Sequence, residues 1–422
     1  MNKKHTTYFL FVLWAGGGAL VAYFLVYSLR KAFTASTFDG LELFGMDYKV
    51  VISISQIIGY LLSKFCGIKF VSELKRNHRL PAIIASGAGA ELSLILFGVV
   101  PYPFNAICLF FNGLSLGCMW GFLFSYLEGR KLTDILAGFL GVSIIISSGA
   151  AKSFGLFVLS FGVSPFWMPA IIGGIALPLL AGMAYLLDRL PEPSLEDKAY
   201  RTERAPLNKY KRRILFMNYS ALLIPLLLVN VLFTVLRDIK EDFLVDILQH
   251  TSLNLTPFLF VRVDSIVTLI LLVVIGSMIF IKNNKKALNT LMFLMLFGSL
   301  LVLSTSLFFD TLIIKPVLWL FLQSIGIYST YLAFQTVFFD RFIADFRIVG
   351  NVGFFIYLAD FLGYLASCIF LGLKFTLNFN NWLQYYNTLS LGITLICICA
   401  IGFAFLMMYV KRKNINLNIK TT

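Results

Sequence analysis

LVYSLRK, residues 25–31, comes back as LFTVLRD, residues 232–238. Both stretches end an apolar run on an arginine, and they are not the only echo at an offset of about 210 residues. Asn112-Gly113 answers Gln323-Ser324, and GVSIII (141–146) answers GFFIYL (353–358). YLEGRKLTDILAGF (126–139) answers FFDRFIADFRIVGN (338–351), each with an acid, a nearby arginine and a glycine ten residues beyond the acid (Glu128 to Gly138, Asp340 to Gly350). Each match is weak alone. In order and at similar offsets, they indicate a duplicated unit that fills the chain.

Composition says what kind of unit. Of 422 residues, 59% are hydrophobic and only 13% charged, more apolar surface than a water-soluble domain can hide. The apolar stretches are helix-length and rich in Leu, Ile and Phe, without the short alternation of a membrane barrel. A span needs about 20 apolar residues. That ruler gives twelve, at roughly 8–37, 48–71, 80–100, 104–127, 133–161, 166–188, 214–245, 256–281, 286–309, 314–339, 346–373 and 384–410. The first follows Lys3 and Lys4 and reads as a retained helix, since it is too long for a leader and no small-residue cleavage site follows. The expected fold class is an all-α membrane protein with twelve transmembrane helices in two six-helix repeats. The halves are 1–188 and 214–422, joined by a charge-dense, proline-containing linker over 189–213.

The net charge of +14 has a topological reading. With both termini and the linker in the cytoplasm, most of the 35 lysines and arginines fall in cytoplasmic segments. Lys49, Lys240, Lys315 and Lys374 are then assigned to the opposite loops. This is the positive-inside pattern, and it predicts an integral protein of the cell (inner) membrane with both ends cytoplasmic. No basic domain stands outside the membrane to hold nucleic acid. The six cysteines lie in apolar runs without disulfide or zinc spacing, and the three histidines suggest no metal site or proton relay. No cofactor is implied, and a phosphate-cradling loop is lacking. The expected partners are the lipid bilayer and a small anionic substrate, with the chain acting as a monomer.

Two six-helix halves around a central site are the architecture of the major facilitator fold. Within it, Arg30 has two readings. Tyr8 to Arg30 is about 33 Å of helix against a hydrocarbon core of about 30 Å, so Arg30 alone reads as a snorkelling end of a span. However, the following AFTASTF contains no strong break, so the helix is expected to run to about Phe38 and leave Arg30 below its end. Arg237 recurs after a comparable run and before IKEDFLVDIL, which also continues as helix. Taken as a repeat-related pair, Arg30 and Arg237 favour an anion clamp, because guanidinium is permanently charged and its planar fork fits phosphate and carboxylate oxygens. Lys31 has no basic counterpart, since Asp238 follows Arg237, and reads as an interfacial or packing charge.

YFLVYSLRKAF (23–33), YLLSKFCG (60–67) and VNVLFTVLRDI (229–239) resemble the first-, second- and seventh-helix segments of the organophosphate:phosphate antiporters of the major facilitator superfamily. The resemblance implies that Arg30 and Arg237 bind a phosphate group, with Lys64 facing the same pore.

Five further charges fall inside spans and are functional candidates by default: Lys64, Lys152, Arg262, Asp264 and Asp360. Arg262 and Asp264 also read as interfacial. Lys152 and Asp360, on repeat-mate helices, are expected to meet and to exchange partners between states. Counting Arg30, Lys64, Lys152, Arg237 and Arg262 against Asp264 and Asp360 leaves a positive cleft, which favours an anion. Lys152, Tyr27 and Tyr60 are expected to complete the binding site, and Lys152, Asp360 and Asp264 to serve gating or coupling. Glu91 falls in the third span with no role assigned. The chain therefore reads as a secondary active transporter of phosphate, an organophosphate or a carboxylate. The alternative is a non-transporting sensor of the same fold that binds an anionic metabolite. An enzyme is disfavoured, because no nucleophile–base or metal constellation is present.

Overall fold

The computed structural model describes residues 10–420 except 129, 131, 195–196, 198–208, 252, 254, 313–314, 347–352, 378 and 380. Lys3, Lys4, much of the 189–213 linker, Arg347 and the Gly350 end of the repeat motif lie outside the described residues. Among the described residues, twelve helices are long and apolar enough to cross a membrane. In chain order they are α1 (Leu10–Ala35), α2 (Tyr48–Gly67), α3 (Arg76–Val99), α4 (Ala106–Leu127), α5 (Ile135–Leu159) and α6 (Met168–Asp188). The second repeat supplies α7 (Met217–Leu248), α8 (Leu259–Ser277), α9 (Asn284–Leu307), α10 (Pro316–Phe338), α11 (Leu358–Thr376) and α12 (Trp382–Lys413). Helices satisfy every backbone group within the segment, which is what a hydrocarbon environment demands. Two prolines, Pro169 and Pro316, occupy first turns, where the amide is unbonded anyway, whereas Pro81, Pro178 and Pro225 lie inside helices.

An even number of spans returns the chain to the side from which it started. The ends of α1, α7 and α11 and the starts of α2 and α12 therefore share the side opposite the termini. There a two-stranded hairpin, β1 (Glu42–Leu43) and β2 (Met46–Asp47), joins α1 to α2. Its tip residues Phe44 and Gly45 both take positive φ (56° and 72°), as a type I′ turn requires.

Contacts divide the chain into two compact units. One gathers Met1–Thr202 with Ile239–Gly276 and Cys368–Leu383. The other gathers Glu203–Asp238, Ser277–Ser367 and Gln384–Thr422. The boundary passes through the middle of α7, between Asp238 and Ile239.

In the first unit the core is built from small residues of α1 (Ala15, Ala19, Ala22) against Leu180, Ala184 and Leu187 of α6 and Leu136 and Leu140 of α5. Lipid tails are as apolar as leucine, so helices associate through close packing, which small residues permit. The tightest crossing is α2 on α4. A Cβ added at Gly113 lands on the Gln56 carbonyl oxygen and 2.9 Å from the Tyr60 nitrogen, so any side chain there forces two helix backbones apart. In the second unit Thr330 of α10 donates to the Met295 carbonyl of α9 (3.1 Å), and Gln323 of α10 donates to Thr305 (3.0 Å) and accepts from Tyr386 of α12 (3.2 Å).

Candidate functional site

The first element of the site is a break in α1. The α-helical segment ends at Lys31 (φ −116°, ψ 4°), Ala32–Ala35 wind as a 3₁₀ turn, and Ser36 is extended. The regular helix expected to reach Phe38 thus stops at the Arg30-Lys31 pair. The break frees carbonyls that have no water to turn to, and two amide side chains take them. Gln56 of α2 donates to the Arg30 carbonyl (2.7 Å) and to the Asn112 side-chain oxygen (2.8 Å). Asn112 of α4 donates to the carbonyls of Leu29 (3.1 Å) and Ala90 (3.2 Å). Asn112, singled out as a repeat echo, is a clamp on the broken helix end.

Arg30 is 3% exposed. Its guanidinium carbon stands 3.9 Å from the centroid of the Tyr60 ring and 5.8 Å from that of Tyr27. Lys64, half-buried one turn further along α2, places Nζ 5.0 Å from the same Tyr60 ring. Four of the sequence-derived binding residues, Arg30, Lys64, Tyr27 and Tyr60, are therefore gathered in one unit. Stacking a guanidinium on an aromatic face contributes about 0.5–2 kcal/mol.

Arg237 lies in the other unit in a comparable setting, 4.3 Å from the Tyr331 centroid and 5.7 Å from that of Tyr364. One feature differs. Asp238 accepts from Arg237 Nε (3.1 Å) and Nη2 (2.7 Å), and the Ser367 hydroxyl donates to the second Asp238 oxygen (2.7 Å). Asp360, in the same unit, accepts from Gln335 (2.8 Å).

Around Tyr27 the first unit holds a buried charge cluster. The Tyr27 hydroxyl donates to Glu241 (3.3 Å). Lys31 reaches both oxygens of Asp242 (2.6 and 2.8 Å), with side chains 4% and 0% exposed. Lys49 pairs with Asp246 (2.5 Å) and donates to the Thr34 carbonyl (2.9 Å). Lys152 donates to the Ser148 hydroxyl (2.8 Å) and lies in the field of Glu241, Asp264 and Asp242. Lys240 lies in the field of Asp264 and Glu241. Four ammonium groups (Lys31, Lys49, Lys152, Lys240) thus face four carboxylates (Glu241, Asp242, Asp246, Asp264) out of water.

Beside this cluster runs an aromatic stack. Phe243, the one residue of α7 with non-helical angles (φ −114°, ψ 18°), lies flat on Trp382 at 3.8 Å. Lys49 caps the Phe243 face at 5.4 Å and Lys374 the Trp382 face at 4.7 Å, while Lys374 also pairs with Asp47 (3.2 Å).

These contacts correct several expectations. Lys49, Lys240 and Lys374 are buried rather than loop charges: Lys49 pairs with Asp246 of α7, which continues to Leu248, and Lys374 pairs with Asp47 and stacks on Trp382. Lys31 is a buried ion-pair partner rather than an interfacial charge. Asp264 is 4% exposed, not interfacial, whereas Arg262 beside it is exposed and leaves the count of cleft charges. In the first unit Lys31, Lys49, Lys152 and Lys240 are matched by four carboxylates, and Arg30 and Lys64 come in addition to that match. The signal for the missed acids was present: Asp238, Asp242 and Asp246 recur every fourth residue, one face of a continuing helix.

Residues 32–413 match the sequence profile of a family of unknown function, DUF5690. The chain belongs to that family. No curated protein matches the sequence. Among solved structures, the nucleoside transporter NupG superposes with a TM-score of 0.59 at 14% identity, covering 94% of this chain and 99% of its own. A D-xylose–proton symporter gives 0.58 at 13% identity, covering 94% and 96%. The human organic anion transporter MFSD10 gives 0.53 at 12%, covering 94% and 98%. At these identities the likeness concerns the fold, which is that of the major facilitator transporters.

Proposed function

We propose that the protein is a secondary transporter that moves a small anion across the membrane by alternating access. The observation that carries this reading is Arg30, a permanent cation 3% exposed at the break of a membrane helix and stacked on Tyr60 beside Lys64. A charge so placed is costly and marks a substrate path, and the break offers irregular backbone where transporters place their sites. Arg30, Lys64, Tyr27 and Tyr60 are assigned to the substrate in the first unit and Arg237 in the second.

Asp238 already engages two N–H groups of Arg237, so a singly charged carboxylate suits this protein better than a phosphate group, whose esters are close to doubly ionised at pH 7. The ion pairs Lys31–Asp242 and Lys49–Asp246, with the Phe243–Trp382 stack, are assigned as the closed gate on the side opposite the termini. They tie α1 and α2 of the first repeat to α7 and α12 of the second. Lys152, with Asp264 and Glu241 about it, is assigned to coupling, and Asp360 with Gln335 to gating in the second unit. The excess of basic residues in the termini and linker supports an orientation with both ends in the cytoplasm.

The test is uptake by proteoliposomes of labelled inorganic phosphate, a hexose phosphate and a small monocarboxylate, each against protein-free vesicles. Uptake of one of these, saturable and inhibited by the others, is the expected result. Binding of an anion without movement of any would replace the transporter reading by that of a sensor.

A further inference from the structure

Glu91 falls inside a span and the sequence left it without a role. It sits well inside α3, about 22 Å of helix from the Arg76 end and about 12 Å from the Val99 end, and it is 7% exposed. Its Oε2 is fully buried and has no hydrogen-bond partner among the described residues. The neighbouring elements do not answer it with charge. α6 presents Gly173 and Gly174: a Cβ at Gly173 would land on Oε2, and one at Gly174 would lie 3.7 Å from Oε1. α1 presents Leu29, whose methyl would lie 3.0 Å from the same added Cβ. The nearest amide, that of Asn112, is spent on the backbone carbonyls of Ala90 and Leu29. The contrast with Asp242 and Asp246 of α7 is sharp, since each of those has an ammonium group beside it.

An ionised carboxylate without donor or counter-charge in a low-dielectric interior is far costlier than the neutral acid. The absence of a side chain at Gly173 leaves the space that the carboxyl head occupies. We propose that Glu91 is a proton-binding site of the transport cycle: it carries a proton in the conformation described and releases it when rearrangement of α1 and α6 lets water reach the recess. The ligand is a proton rather than a metal cation, because one carboxylate against glycine and leucine offers too few oxygens to replace a hydration shell. The proposal rests on the transporter reading for its role in a cycle, but its test needs no transported substrate.

The full chain is reconstituted in lipid and examined by two readouts, beside Glu91→Gln, which keeps the shape of the side chain. Infrared spectra between about pH 5 and about pH 9 report the carbonyl stretch of a protonated carboxylic acid. A hydrophobic carbodiimide adds across the acid O–H, the carboxyl oxygen going to its central carbon and the proton to nitrogen, and the adduct rearranges to a stable N-acylurea located by peptide mass spectrometry. The expected results are a carboxylic-acid band and a Glu91 adduct in the wild type, both fading as pH rises, and loss of both in Glu91→Gln. Superimposable spectra of wild type and variant at every pH would overturn the proposal. So would a band that persists unchanged to the highest pH, since the acid would then be a fixed structural group that never exchanges its proton. Failure of the uptake assay alters neither readout, so the two readings fall separately.

Discussion

Replacing Asp242 by Asn removes the partner of Lys31 and leaves an ammonium group inside the first unit. The pair is short (2.6 Å) and its side chains are 4% and 0% exposed, so water does not compensate. Breaking such a pair from one side costs about 3–5 kcal/mol. If the pair exists only while the gate is closed, that energy leaves the closed state and not the open one. The closed-to-open ratio then falls by about two to almost four powers of ten, enough to invert any modest preference for closure. The assay uses Ser36→Cys, a position 6% exposed just past the break of α1, in a background without the six native cysteines. Labelling by a membrane-impermeant maleimide from the side opposite the termini should be slow in the parent and strongly accelerated by Asp242→Asn. The double variant Lys31→Met with Asp242→Leu separates charge from packing. An apolar pair of similar volume is often neutral or stabilising in place of a buried ion pair, so labelling should return to near the parental rate. Equal labelling rates in parent and Asp242→Asn would refute the gate assignment. Acceleration that persists in the double variant would show that packing damage, not the unpaired ammonium, opens the site.

Three further outcomes are expected. Gln56→Ala leaves the Arg30 carbonyl without its donor, and an unsatisfied buried group costs about 1–3 kcal/mol; a lowered thermal midpoint in detergent checks it, with Gln56→Glu no rescue because the carboxylate cannot donate. Tyr60→Phe keeps the ring under Arg30 and should bind the transported anion as the parent does, whereas Tyr60→Leu loses the stacking and should weaken binding by about 0.5–2 kcal/mol, read by isothermal titration. Gly113→Val drives a side chain into the backbone of α2 and should abolish folded expression, while Gly138→Ala, where a Cβ meets nothing within 4 Å, should leave the chromatographic profile unchanged.

The twelve spans were legible because apolar length is a local property, and the repeat because a duplicated unit keeps its order. Arg30, Lys64, Tyr27 and Tyr60 were readable as a group for the same reason: they lie on two consecutive helices. The break after Arg30 was not, since AFTASTF contains neither glycine nor proline. The break is held by Gln56 and Asn112, which come from 26 and 83 residues away from the backbone they bind. The ion pairs were hidden by distance as well, Lys31 from Asp242 by 211 residues and Lys49 from Asp246 by 197. Hydropathy assigns such charges to loops, because the partner that makes their burial tolerable is absent from the window. The clue lay in α7, where acids spaced by four are out of place on a loop and natural on one face of a helix.

The central claim is that Arg30 recognises a transported anion. Arg30→Lys keeps the charge but loses the planar fork and its flat stacking on Tyr60. The decisive measurement is the initial rate of uptake, by proteoliposomes, of whichever labelled anion the wild type carries, compared with Arg30→Lys at matched protein incorporation. The account predicts a loss of at least about tenfold, equivalent to about 1.4 kcal/mol of substrate interaction, with the thermal midpoint little changed. Wild-type uptake by Arg30→Lys would contradict it.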